Sequence, residues 1–150
     1  VASRPRIRNS AKVAESSASY SPRRILLDSH VWLWWYNGDK QLGPAAQMLI
    51  KSADEVRFSA ASAWEISIKR ALGKLVVRGD LRLSQELERD GFMELGISVA
   101  HAEAVHALPA VHRDPFDRML VAQAQVEGLA IVTADDVIGR YSVAVIDARR

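Results

Sequence analysis

The chain has 150 residues, 49% of them hydrophobic, no cysteine and a formal net charge of +2. That length suits one domain with a core of its own. The lack of cysteine excludes a disulfide framework and a thiolate metal site, and no apolar run approaches the roughly 18 residues of a membrane span. A cysteine-free chain suits a reducing compartment, and the cytoplasm is the expected location.

The charge is segregated. Residues 1–24 carry Arg4, Arg6, Arg8, Lys12, Arg23 and Arg24 against Glu15 alone, so the remainder is mildly acidic. Residues 1–22 are rich in Ser, Ala and Arg and lack apolar periodicity, which predicts a disordered basic N-terminal extension. Residues 23–150 are then the folded domain.

Arg24-Ile25-Leu26-Leu27 predicts a short strand, apolar throughout, of the kind a parallel sheet buries on both faces. It ends at Asp28-Ser29-His30. Val31 to Tyr36 is too apolar all round for a surface helix, so its tryptophans belong to a core or an interface, and Asn37-Gly38 closes it. Leu42 to Ala53 predicts a second helix, opened by Gly43-Pro44. Val56 to Ser59 predicts a second strand. Ser62 with Glu65 matches a capping box opening a helix to about Leu72, stopped by Gly73. Leu81 to Arg89 reads as an amphipathic helix ended by Gly91, and Phe92 to Leu95 as a weak strand. Ser98 caps a helix from Val99 to Leu108, with Ala102, Val105 and Leu108 inward.

The most informative stretch runs from His112 to Ala124. Asp114 occupies an N-cap position, Pro115 fits the first helical position, and Asp117 lies in the first turn near the positive end of the helix dipole. The helix runs to about Glu127 and stops at Gly128. Leu129 to Val132 predicts a strand ending at Thr133-Ala134-Asp135-Asp136, and Val143 to Ile146 a last one. Strands alternate with helices, so the class is α/β with a mostly parallel sheet.

On that architecture Asp28 follows the first strand, Glu65 opens the helix after the second, Asp117 opens the helix before the fourth, and Asp135 follows the fourth. Strand carboxyl ends and the starts of the following helices share one edge of a parallel sheet, so these four acids are expected around one cleft. Four like charges so placed require raised pKa values or a bound hard cation. Oxygen donors without cysteine favour Mg²⁺, with Mn²⁺ as a substitute, over zinc. Such a cation generates a nucleophilic water and neutralises a phosphodiester transition state. Crowding also predicts that neutralising Asp28 stabilises the metal-free fold. The chain has no glycine-rich phosphate loop, no Gly-x-Ser-x-Gly elbow and no His-x-x-x-His pair.

Leu26 to Trp32, Ser62-Ala63-Trp64-Glu65-Ile66, the 112–124 stretch and Ile131 to Asp135 together resemble the PIN domain family, and within it the VapC-like toxins of bacterial toxin–antitoxin pairs. The resemblance spans about Arg24 to Ile146. It implies a three-layer fold with a central parallel sheet of about five strands flanked by helices. It also implies a Mg²⁺-dependent endoribonuclease toxin that cleaves RNA phosphodiester bonds, acts as a homodimer and is held inactive by a cognate antitoxin. Asp28, Glu65, Asp117 and Asp135 carry over as the catalytic acids, with Asp28 and Asp117 as the direct metal ligands. Ser29 stands where relatives often have Thr and keeps a hydroxyl in place.

Other polar residues have plainer readings. Asp114 is read as a cap, Asp136 as a partner of Thr133 in a short capping motif, and His30 as hydrogen-bonded near a helix start. Arg113 and Arg118, with His112 beside the acids, can pair with those acids or with RNA phosphates. Lys69, Arg70 and Lys74 are solvated helix charges by default, and Thr133 caps or orients a water. A receiver-like signalling domain also carries an acidic sheet edge, but it wants an adjacent acid pair after the first strand and a lysine after the last. Here those places hold Asp28-Ser29-His30 and Ile146-Asp147-Ala148. A catalytically silent PIN-like RNA- or protein-binding module is the other alternative.

Overall fold

The computed structural model describes residues 23–150. The extension expected over residues 1–22 lies outside them. The described residues form β1 (Arg24–Leu27), α1 (Ser29–Asn37), α2 (Pro44–Ser52), β2 (Glu55–Ser59), α3 (Ala60–Ala71), α4 (Leu83–Asp90), β3 (Met93–Leu95), α5 (Val99–His106), α6 (Pro115–Glu127), β4 (Ala130–Thr133), a 3-10 turn (Asp136–Arg140) and β5 (Val145–Asp147). All strand pairs are parallel, and the sheet order is β3-β2-β1-β4-β5.

β1 is central because both its faces are apolar. Ile25 and Leu27 join one core with Val31, Trp32, Leu49 and Ile50 from α1 and α2. Leu26, the residue between them, joins the opposite core with Leu120, Val121 and Ala124 from α6. All three β1 residues are essentially buried. The period of two in a strand therefore places helices on both faces, which is the three-layer architecture. Trp32 is fully buried although its indole N–H finds no acceptor among the described residues. An unpaired N–H costs about 1–3 kcal/mol. Burying a ring of ~200 Å² returns about 5 kcal/mol, so burial wins.

Helix boundaries follow local chemistry. Asp28 caps α1 through the Ser29 N–H at 2.8 Å, and Gly38 ends it in the left-handed conformation at φ 63°. Gly43, before α2, lies against the backbone of Arg150, where a Cβ would come within 2.2 Å of the Arg150 carbonyl carbon. α6 runs over Pro115–Glu127 as expected, with the Asp114 carboxylate accepting from the Phe116 and Asp117 N–H groups.

Four expectations are corrected. α3 begins at Ala60, not Ser62: Ser59 is its cap and accepts the Ala61 N–H at 3.0 Å. β2 thus passes directly into α3, Glu65 sits beyond the first turn, and the Ser62–Glu65 capping box does not form. α5 turns His101 and the partly buried Ala104 and Val105 inward, with Leu108 buried just beyond its end, while Ala102 is exposed. Its capping box pairs Ser98 with His101, and that places His101 inside. The last strand starts at Val145, because the Val143 N–H is taken by the Tyr141 carbonyl in a tight turn. Finally, Asp135 caps the 3-10 turn, and Asp136 pairs instead with Arg149 at 2.7 Å.

The end of β2 is anchored to α6 by buried polar groups. Ser59 donates its hydroxyl to the Gln123 Oε1, and Gln123 Nε2 donates to the Gly96 carbonyl at 3.3 Å. His101 Nδ1 accepts the Ser98 N–H, so its Nε2 carries the proton and donates to Glu127 at 2.8 Å. Gln123→Leu strands the Ser59 hydroxyl and the Gly96 carbonyl. The expected cost is about 1–3 kcal/mol, seen as a lower urea midpoint with an unchanged denaturant slope.

Candidate active site

The carboxyl ends of β1 and β4 are adjacent, with Leu27 in register with Val132 and the Asp28 N–H bonded to the Val132 carbonyl at 3.0 Å. This brings Asp28 beside Thr133. Asp28 is 4% exposed. One of its oxygens caps α1, and the other accepts the Thr133 hydroxyl at 2.7 Å. His30 accepts the Ala134 N–H at Nε2, so the proton on its Nδ1 faces the same Asp28 oxygen at 3.4 Å. Thr133 in turn accepts the Asp135 N–H at 3.0 Å, so one hydroxyl ties the loops that carry both acids.

Glu65, 8% exposed on α3, accepts the Ser29 hydroxyl at 2.8 Å and pairs with Lys69 at 3.2 Å. Ser29 therefore joins Glu65 to the start of α1. Asp135 accepts the Val137 N–H at 2.9 Å and His112 Nε2 at 3.0 Å. The His112 ring stacks on Tyr141, whose hydroxyl receives the His112 backbone N–H at 2.8 Å and faces Nδ1 at 3.1 Å. Burial raises the pKa of Asp135, but the hydrogen bond from His112 and that from Val137 outweigh it and leave the carboxyl below its usual range.

Asp117 is different. Its carboxylate accepts no hydrogen bond and pairs with no lysine or arginine among the described residues. Burial is the largest influence, the negative charges of Asp114, Asp28 and Glu65 add to it, and His112 opposes them. The pKa is pushed up to about 7. Donor atoms of Asp117, Asp135 and His112 all lie within 4.8 Å of one another. The four acids named from the sequence thus share one edge. Asp28 meets Asp135 through Thr133, Asp28 meets Glu65 through Ser29, and Asp117 feels Asp28 and Glu65 through space.

Several neighbours have other places than the sequence suggested. Arg118 does not reach the acids. Its guanidinium donates to the carbonyls of Val105, Leu108, Pro109 and His112, which closes the end of α5. Lys69 is not a free helix charge, since it holds Glu65. Arg70, Lys74 and Arg113 are exposed. His112 gains a defined role at Asp135 that sequence spacing did not reveal, because its partners Asp135 and Tyr141 lie more than twenty residues away.

The donor set suits a hard divalent cation. It is rich in carboxylate oxygen, the acids are crowded, and Asp117 lacks the hydrogen-bond donors that each of the others has in Thr133, Ser29, Lys69 or His112. Asp28 has both oxygens bonded, by Ser29 and Thr133, whereas Asp117 has neither, so relief of repulsion on neutralisation is expected at Asp117 as well as at Asp28, whose charge acts on it. The folded pKa of Asp117, about 7, stands above the ordinary carboxylate value of 3.8. Its contribution to stability is then full below about pH 4 and is lost as pH rises through about 7. Asp117→Asn should raise the melting temperature of the metal-free protein at pH 8 by about 2–4 °C or more, and leave it almost unchanged at pH 4. A melting series in chelator across that range checks the sign.

The comparisons with known proteins agree with this architecture. The PIN domain model matches residues 25–144. Ribonuclease VapC22 of Mycobacterium tuberculosis is 34% identical over 116 residues, covering 74% of this chain and 86% of that protein. Among solved structures, a toxin-antitoxin complex from Klebsiella pneumoniae matches with a TM-score of 0.59 at 17% identity, covering 83% of this chain and 97% of that one. VapBC2 from Rickettsia felis, bound to a DNA fragment from its promoter, matches with a TM-score of 0.58 at 12% identity, over 81% and 96%. The parallel five-stranded sheet, its acidic carboxyl edge and these likenesses lead to one assignment: the chain belongs to the PIN domain family and is a homologue of the VapC-type ribonucleases.

Proposed function

We propose that this chain is a metal-dependent endoribonuclease, the toxin of a toxin–antitoxin pair, that hydrolyses RNA phosphodiester bonds at the acidic edge. The observation that carries the reading is Asp117: a half-buried carboxylate without a partner, pushed up to about 7, facing Asp28 and Glu65. The 34% identity to a ribonuclease and the fold shared with toxin–antitoxin complexes support it.

Asp28 and Asp117 would hold the ion, Mg²⁺ or Mn²⁺, with Asp135 and Glu65 completing the negative edge. When bound there, the cation supplies a water of lowered pKa and positive charge for the phosphate oxygens. The chain's own residues orient the carboxylates. Thr133 and the Ser29 N–H fix Asp28, the Ser29 hydroxyl and Lys69 fix Glu65, and His112 fixes Asp135. Arg113 is exposed two residues from Pro115 at the head of α6 and is available to an RNA phosphate. The solved relatives are complexes, which supports a cognate antitoxin as protein partner and leaves this edge to be covered or released by it. A homodimer, as in the family, belongs to the same reading.

Asp28→Asn and Asp117→Asn should each lower Mg²⁺-dependent cleavage of RNA by roughly a hundredfold or more, while circular dichroism shows the fold retained. Chelation should silence the parent chain, and added Mg²⁺ or Mn²⁺ should restore it. Full activity in both variants would overturn the assignment. RNA binding without turnover in either metal would favour a silent binding module.

A further inference from the structure

Beside the acids, on the same two helices, lies an aromatic pair that hydrolysis does not use. Trp64 immediately precedes Glu65 on α3, and Phe116 immediately precedes Asp117 on α6. Their rings meet edge to face, with centroids 5.3 Å apart at 76°. Phe116 is partly buried, whereas Trp64 is 61% exposed. The other three tryptophans, Trp32, Trp34 and Trp35, are all buried or partly buried.

Exposed aliphatics elsewhere, such as Val76 and Val99, need no explanation, and Leu72, exposed at the end of α3 two turns from Trp64, is separated from it by the partly buried Ile68. Trp64 differs in two respects. A second aromatic ring holds it in place, so it loses little freedom on meeting a ligand. Its position is also set by the two helices that carry the acids. A protein partner wants a broad patch, yet the α3 neighbours of Trp64 one turn away are Ala60, Ser67 and the partly buried Ile68, with no large exposed side chain among them. A single large open ring beside an anionic, cation-seeking edge matches something narrower, the flat face of a nucleobase. Aromatic stacking accepts any base and needs that base unpaired.

On the nuclease reading above, we propose that Trp64, backed by Phe116, is a positioning residue that stacks an unpaired RNA base next to the phosphate to be cut. Arg113, exposed near the head of α6, meets the backbone of the same strand. Bases within a duplex are already stacked on one another, so the ring is open only to an unpaired base.

The test measures binding of a short, labelled, mixed-sequence oligoribonucleotide by anisotropy, with every variant made in the Asp117→Asn background so that nothing is cleaved. The same oligonucleotide with abasic nucleotides, and its duplex, serve as comparison ligands. Trp64→Ala and Trp64→Leu should weaken binding of the unpaired RNA by about fivefold to a hundredfold. Trp64→Phe should stay within about threefold of the background. All variants should bind the abasic strand alike. In the cleaving chain, Trp64→Ala should raise KM more than it lowers kcat.

Equal affinity of Trp64→Ala and its background for unpaired RNA overturns the stacking proposal alone, as does an equal loss on the abasic strand. Unchanged RNA affinity with loss of self-association in sedimentation also overturns it and assigns the ring to a contact between copies. Absence of RNA binding and cleavage by the parent chain overturns the proposal together with the nuclease reading.

Discussion

Negative charge held at close quarters is the constraint that shapes the carboxyl edge of this sheet. Two carboxylates about 4 Å apart repel by roughly 4 kcal/mol at the effective dielectric near a protein surface. The fold answers with a donor for each acid that it can serve. Asp28 receives the α1 N–H and a hydroxyl, Glu65 a hydroxyl and an ammonium, and Asp135 a backbone N–H and an imidazole. Asp117 receives none of these among the described residues, and the unrelieved field collects there. The uneven distribution is what makes the edge more than a row of capping residues.

That distribution depends on a rigid support. Asp28 and Thr133 meet because β1 and β4 are paired in one register, and β1 is fixed in that register by apolar side chains on both its faces. A slip of one residue would turn Leu26 toward the wrong core and carry Asp28 away from Thr133. The buried link from Ser59 through Gln123 to Gly96 does similar work for α3 and α6, holding together the helices that carry Glu65 and Asp117. Stability and site geometry therefore rest on the same contacts.

Much of this was legible in the sequence because it is local. The Asp114-Pro115 start and Gly128 stop of α6, the apolar run of β1 and the alternation of strand and helix are each set by a few neighbouring residues. The convergence of the four acids followed from the rule that strand ends and the next helix starts share an edge. What escaped was long-range or competitive. Ser62 and Glu65 satisfy a capping pattern, but Ser59 stands three residues earlier at the strand end and captures the helix start. Arg118, beside an acid in sequence, is drawn away by the unpaired carbonyls at the end of α5. His112 and Thr133 owe their places to partners across the sheet edge, and no spacing rule announces those.

Asp117 shows how magnitudes separate two readings of one residue. An acid in the first turn of a helix is ordinarily stabilised as an anion by the helix dipole, by roughly 0.3–1 kcal/mol, and taken alone that would lower its pKa. Here the pKa moves the other way, from 3.8 to about 7. Even discounted for solvent screening, a shift of that sign and size exceeds what the dipole supplies. Desolvation and the charges of Asp114, Asp28 and Glu65 therefore dominate, and the position works against the stability of the metal-free chain. A capping or dipole role would favour a residue that helps its helix at neutral pH. A carboxylate that is costly at neutral pH without a positive charge in front of it is better matched to holding a cation there.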